Sequence, residues 1–315
     1  MKSVKFHIEP YSDKYLSGVT ALEAGIIQGS NIKLELVKEH FLDRAKVFEN
    51  IYPCIALSEE NDVIGMAVGA QTKLIINDVP INAGIGFDTK INPLWRNKGV
   101  GRMLAKYIYK EFFMPQKLEN NFMTAKKSNV PVLKLISRAL PDVWIYDFVY
   151  LTIPTSSRTK APAYSSVQLQ QFSVQLFDKE EIPADYYLQE GEKPGCFHTY
   201  KLYRLRIKRI SRLYKFCMAL LKNMNPVKYG ALPEESDVLS FATLYNHHAG
   251  NIHGIDEVLD RLEKKGIRYL LVCCRKNDMI YKLFKNISIN EYGYYMISDF
   301  RLGKNDRVAI DVRCL

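Results

Sequence analysis

Cations and glycines of this chain converge on one short stretch, Ile91-Asn92-Pro93-Leu94-Trp95-Arg96-Asn97-Lys98-Gly99-Val100-Gly101-Arg102. A helix N-terminus leaves its first N–H groups without intrahelical partners and carries partial positive charge, so it receives phosphate readily. Gly99 and Gly101 remove side chains that would stand between that backbone and a pyrophosphate. Arg96, Lys98 and Arg102 surround it with positive charge. The chemistry implied is the holding of an anionic, nucleotide-like cofactor. It is not that of a Walker loop, since no Gly-Lys-Ser/Thr follows, and the glycines are too few and wrongly spaced for a dinucleotide fingerprint.

Such a turn works only if a strand delivers it and a helix leaves it. Ile81 to Ile91 reads as the strand, and Val100, Leu104, Tyr107/Ile108 and Phe112 mark the helix with a 3.6-residue rhythm. Around this unit the sequence predicts a strand over Val4–Glu9, helices over Asp13–Ile27 and Ile32–Asn50, and strands over Cys54–Ser58 and Val63–Ile76. Asn61-Asp62 and Asn77-Asp78 supply the turns. After the helix Gly101–Phe113 come a strand over 121–125, a helix over 130–139 and a strand over 144–153.

The chain repeats itself at an offset of 148 residues: Asn129-Val130-Pro131-Val132-Leu133-Lys134-Leu135-Ile136 parallels Asn277-Asp278-Met279-Ile280-Tyr281-Lys282-Leu283-Phe284. Strand-like runs and basic pairs (Lys126-Lys127, Arg275-Lys276) precede or open both copies, and aromatic strands follow both. Two related α+β units are expected, over residues 1–155 and 156–315, joined through the small polar and proline-rich Pro154–Pro162. In the second unit Val238–Tyr245 reads as a strand, and Ile255, Val258, Leu259 and Leu262 as a helix stopped by Gly266. Leu244, His247 and Ala249 stand where Arg96, Gly99 and Gly101 stand in the first, so the anion cradle is not repeated.

At 315 residues, 47% hydrophobic and 25% charged, the chain has the balance of a globular protein of two ordinary domains. No apolar stretch is long enough to predict a membrane span, and Met1–Lys5 runs into a strand without a signal-peptide core, so a cytoplasmic location is expected. The six cysteines form no metal-type pair, and Cys273-Cys274 read as buried free thiols with at least one pointing inward. His247, His248 and His253 read as a surface loop rather than a zinc site, and no metal is expected. The net charge of +10 favours acidic partners. The basic run Lys201–Lys215 reads as a connecting element with a solvated face. An acidic substrate wall or an anionic membrane surface is the functional alternative, and nucleic acid the weaker one, without aromatic interleaving.

Arg96-Asn97-Lys98-Gly99-Val100-Gly101, with Ile91-Asn92-Pro93 upstream, resembles the R/Q-x-x-G-x-G/A signature of the GCN5-related N-acetyltransferases, and the element order resembles that family over nearly the whole first unit. The layout is similar to a two-unit form, the plant Hookless-type N-acetyltransferases and their bacterial relatives. The resemblance implies a mixed, mostly antiparallel sheet flanked by helices, the acyl-CoA N-acyltransferase fold, duplicated in tandem. It also implies acetyl-CoA as co-substrate and acetyl transfer by direct attack of an amine acceptor. The N–H of Ile91 would polarise the thioester, and the amides from Asn97 through Val100 to Arg102 would hold the pyrophosphate. Asn129 falls where the family often has a cofactor-contacting Asn, and equally suits a helix N-cap, a role Asn277 would share. The family's thiolate-protonating Tyr is replaced by Ile136, leaving Ser137 and Tyr146 as candidate acids. Asp88 and Asp147 are candidate bases, Asp88 because its neighbours Phe87 and Thr89 would raise its pKa. A non-catalytic CoA-binding protein and an enzyme using a longer acyl donor are the alternatives.

Overall fold

The computed structural model describes residues 5–25, 29, 31–48, 50–76, 79–139, 143–157, 195–198, 203–229, 232–245 and 255–303. The first half runs β1 (Phe6–Pro10), α1 (Leu16–Ala24), β2 (Ile32–Val37), β3 (Ile51–Ser58), β4 (Val63–Ile76), β5 (Val79–Ile91), α2 (Val100–Ile108), β6 (Asn120–Lys126), α3 (Val130–Ala139) and β7 (Trp144–Pro154). The second runs β8 (Gly195–His198), β9 (Arg204–Ile210), α4 (Arg212–Met224), α5 (Pro226–Tyr229), β10 (Val238–Leu239), β11 (Phe241–Tyr245), α6 (Ile255–Lys264), β12 (Tyr269–Cys274), α7 (Met279–Phe284) and β13 (Asn290–Ser298).

Ten strands form one sheet in the order β1-β3-β4-β5-β6-β13-β7-β12-β11-β8, mostly antiparallel. Two pairs are parallel, β5 with β6 and β11 with β12, and a helix crosses over between the members of each, α2 in the first and α6 in the second. The halves exchange their last strands. β13 lies between β6 and β7, and β7 pairs in turn with β12. The two halves therefore share one continuous sheet.

Helices α2, α6 and α7 cover one face, and α1 packs on part of the other through Val19 and Leu22. Val100, Leu104 and Ile108 of α2 bury against Cys54, Ala56, Ile64 and Ala67, while α6 and α7 bury Ile255, Leu259, Leu262 and Phe284 against Leu151, Ile153, Leu270 and Val272. On the opposite face Phe48, Leu74, Ile85, Phe122, Phe148, Tyr203, Phe241 and Met296 form a core that spans both halves. Both Cys273 and Cys274 are buried, one on each face, because β12 is covered on both sides.

The helix expected over Ile32–Asn50 is not formed. Ile32-Lys33-Leu34-Glu35-Leu36 alternates apolar and charged residues with period two, and pairs antiparallel with β9 in a three-stranded sheet of order β10-β9-β2. A 3-10 turn over Asp43–Val47 follows. The strand expected over Val238–Tyr245 is divided at Ser240, its two parts belonging to the small and large sheets. Among the described residues no helix is long and apolar enough to cross a membrane, and no His/Cys/Asp/Glu group is arranged to hold a metal ion. His247, His248 and His253 lie outside the described residues.

Candidate acyl-CoA site

The pairing of β5 with β6 is confined to Ala83–Gly86 against Asn120–Met123. Beyond Gly86 the strands part. Opposite Met66–Val68 the register of β5 slips, and Asp88 takes a φ of +49°, the signature of a bulge. The end of β6 turns instead to β13, pairing as far as Lys126↔Tyr294. A wedge thus opens between residues 87–91 and the end of β6. The Asn92 N–H donates to the Ile64 carbonyl at 2.9 Å, across to β4. N–H groups alternate sides along an extended chain, so the Ile91 N–H turns to the opposite edge, which borders the wedge.

The wedge ends on the basic turn. The Asn92 side chain accepts from the Leu94 N–H at 3.0 Å and starts a 3-10 turn over Pro93–Trp95. Asn97 and Gly99 have φ of +62° and +88°, two left-handed residues that fold the chain back before α2 begins at Val100. A Cβ on Gly99 would meet nothing within 4 Å, so its backbone opens onto free space and its φ is what calls for glycine. Gly101 is different. A Cβ there would stand 3.3 Å from Leu135 of α3, so it sets helix packing as well as access. Val100 is buried and fixes the helix start, while Arg96, Asn97, Lys98 and Arg102 are at least partly exposed around it. Lys98 lies 4.9 Å from the centre of the Trp95 ring.

The face of the wedge away from α2 has a charged floor that the sequence did not reveal. Arg44 donates to Asp88 at 2.6 Å, Lys38 lies 3.8 Å from the same carboxylate and 2.9 Å from Glu23, and Lys90 also pairs with Glu23. Three cations thus face two carboxylates, all largely buried. The expectation that Asp88 has a raised pKa is reversed. Burial pushes it up, but Arg44, Lys90 and Lys38 outweigh burial and hold the carboxyl below its ordinary range. Asp88 is thereby a poor proton acceptor and a good anchor for the bulge. Burial lowers Lys38, against the pull of Asp88 and Glu23.

Lys126, at the end of β6, shares a face with its cross-strand partner Tyr294. Its ammonium stands 5.5 Å from the centre of the Tyr292 ring, and among the described residues no carboxylate pairs with it. Burial alone lowers its pKa. The phenols of Tyr150, Tyr203 and Tyr294 nearby are pushed up by burial, so they stay protonated. The adjacent Lys127 is paired with Asp147 on an exposed surface, which leaves Asp147 occupied. The one sequence signal for Lys126 is its place in a basic pair at the end of a predicted strand.

Asn129 acts as a cap, its side chain accepting from the Val132 N–H at 3.4 Å. The cap of α7 is Asp278 and not Asn277. The Tyr146 hydroxyl accepts from the Leu302 N–H at 2.6 Å and donates to the Phe300 carbonyl at 3.5 Å, so it is committed to clasping the chain after β13. Ser137 lies in α3; its side chain and that of Ile136 are outside the described residues.

No known family model matches the chain, and no curated protein matches it in sequence. Solved structures do resemble it in shape. Saccharomyces cerevisiae N-myristoyltransferase, with myristoyl-CoA bound, superposes with a TM-score of 0.51 at 9% identity over 96% of this chain and 84% of its own. A GCN5-related glucosamine N-acetyltransferase region of a fungal multi-domain β-N-acetylglucosaminidase gives 0.48 at 10% identity over 94% of this chain. A probable N-acyltransferase from Enterococcus faecalis gives 0.47 at 8% identity over 93%. The chain spans 38% of the fungal protein and 72% of the Enterococcus one. The sheet order, the parallel wedge and the yeast likeness agree: this chain has the mixed α+β acyl-CoA N-acyltransferase fold.

Proposed function

We propose that the chain transfers an acetyl group from acetyl-CoA to an amine, using the wedge between β5 and β6. The observation that carries this reading is the alignment of an open wedge with a left-handed, glycine-containing turn at a helix N-terminus. The amides from Asn97 to Arg102 would bind the pyrophosphate, with Arg96, Lys98 and Arg102 as counter-charge. The Ile91 N–H would stabilise charge on the thioester oxygen as the amine nitrogen attacks the carbonyl carbon. The C–N bond then forms, the C–S bond breaks, the amine proton passes to water, and the CoA sulfur leaves as thiolate. Lys126 is the cation suited to stabilise and protonate that thiolate, since neither Ile136 nor the clasped Tyr146 serves. A longer acyl donor is the second reading, favoured by the likeness to a protein that holds myristoyl-CoA.

Calorimetric titration of the full chain with acetyl-CoA and with myristoyl-CoA tests both. A single site is expected, weakened roughly 100-fold, or about 2.7 kcal/mol, in Gly99→Glu/Gly101→Glu by carboxylates opposing the pyrophosphate. Preference for the myristoyl donor would select the second reading. Two sites, or binding untouched in the double variant, would remove the cradle from the account.

A further inference from the structure

Helix α4 leaves β9 through Ser211, whose hydroxyl caps it by accepting from the Tyr214 N–H at 3.4 Å. Met218 turns inward, with Tyr214 and Leu221 beside it, against Ile207, Ile210 and Leu232. The outward side is apolar. Leu213, Phe216, Leu220 and Met224 are 75%, 62%, 47% and 80% exposed. Their spacings of three, four and four residues place them on one stripe of the helix. A contiguous exposed stripe of this size differs from the single apolar residues scattered over any surface.

The charge on the helix itself is of one sign. α4 contains no carboxylate. Lys215 and Lys222, away from the stripe, are paired with Glu235 and Glu234. Arg212 flanks the stripe in the first turn of the helix, the positive end of its dipole, where a cation is unfavourable. Among the described residues no carboxylate forms an ion pair with it or with the exposed Arg209 just before it; Glu235, which feels the charge of Arg209, is held by Lys215 and the Ile210 N–H. Neither the fold of the helix nor its packing calls for cations there.

We propose that the outward face of α4 seats this chain on an anionic phospholipid bilayer, the four apolar side chains entering the acyl boundary and Arg209 and Arg212 meeting the headgroup phosphates. The stripe has no polar side chain that would give the directional hydrogen bonds of a protein partner, and its basic rim complements lipid phosphate. The seat is independent of the acyl-transfer reading.

The test uses the full chain and two kinds of vesicle, phosphatidylcholine alone and an equal mixture with phosphatidylglycerol. Co-sedimentation is expected only with the mixture, and is expected to weaken with salt. Arg209→Glu/Arg212→Glu is expected to lower partitioning at least about 25-fold, on the order of fivefold per cation. Phe216→Ser/Leu220→Ser is expected to lower it about tenfold or more, with the thermal melt unchanged because both side chains are exposed. In the Phe216→Trp variant, emission beyond that of the parent is expected to shift to the blue on adding mixed vesicles. No partitioning onto the mixed vesicles would overturn the proposal. So would added emission in Phe216→Trp that is already blue-shifted without lipid, which would mean the chain covers the stripe itself. A concentration-dependent dimer abolished by Phe216→Ser/Leu220→Ser would overturn it too, assigning the stripe to a second copy.

Discussion

The wedge of β5 and β6 and that of β11 and β12 share a plan and differ in what fills them. In each, a few parallel pairs hold two strands together before one turns away, Ala83–Gly86 with Asn120–Met123 in the first and Phe241–Thr243 with Tyr269–Leu271 in the second. In the first, the parting strands face a charged floor of Arg44, Asp88, Lys38 and Glu23, with Lys126 opposite. In the second, Leu244, Ile255, Leu259 and Val272 close into apolar core. Cys274, 148 residues after Lys126, is buried there with its thiol pushed far up by the loss of water. The frame that hydrophobic burial maintains is present in both halves, whereas among the described residues the buried charged groups stand in the first.

The largest expected break in this contrast comes from Arg44→Met. Removing the cation hydrogen-bonded to this buried carboxylate leaves Asp88 only the charges of Lys38 and Lys90, a loss near the lower end of about 3–5 kcal/mol in denaturant unfolding at neutral pH. In the parent, the stabilisation from Asp88 is complete above its unfolded value of 3.8 and is lost as pH falls through its lower folded value. In the variant the folded value rises, so the penalty fades with acid and the two stabilities converge as pH drops below 3.8. A gap that stayed constant with pH would mean the floor is not electrostatic.

Lys126→Met sharpens the contrast on the chemical side. With the thiolate left without its cation, kcat is expected to fall roughly 100-fold while CoA affinity holds. The parent rate is expected to decline on the alkaline side, at a pH below the ordinary 10.5 of lysine, because burial lowers this ammonium. That decline is expected to vanish in Lys126→Arg, which retains charge and part of the rate but does not titrate in the range. A Lys126→Met variant with full kcat would return the proposed thiolate to solvent.

The smallest effect is a matched pair. Gly99 and Gly266 have φ of +88° and +74°, and a Cβ on either meets nothing within 4 Å. Gly99→Ala and Gly266→Ala are each expected to cost about 1 kcal/mol of stability for the left-handed strain alone. Only Gly99→Ala is expected to weaken CoA in the same titration.

What could be read without coordinates was local. The turn at Arg96–Gly101 was legible because cations, glycines and the helical rhythm after Val100 lie within a few residues, and the helix over 130–139 for the same reason. Ile32–Val37 was misread because Leu34, Val37 and Phe41 also fit a helical spacing, and only its pairing with β9 decides. Asp88 was misjudged because the group that dominates it, Arg44, is 44 residues away. The exchange of β7 and β13 was not legible at all. Each strand is aromatic and apolar on its own terms, and nothing in their residues says which neighbour they take.

That exchange bears on how the chain is made. β6 and β7 lie apart in the sheet, and the strand that joins them is the last described element of the polypeptide. During synthesis the first half must wait, its sheet open along two edges, until β13 has emerged from the ribosome. At ordinary elongation speeds that is roughly seven to thirty seconds after β7 has appeared. Through this interval the exposed rims of β6 and β7 are templates for any passing strand. A premature stop late in the message would release a protein that contains the basic turn and Lys126 and yet lacks the strand whose Tyr292 and Tyr294 stand beside that lysine.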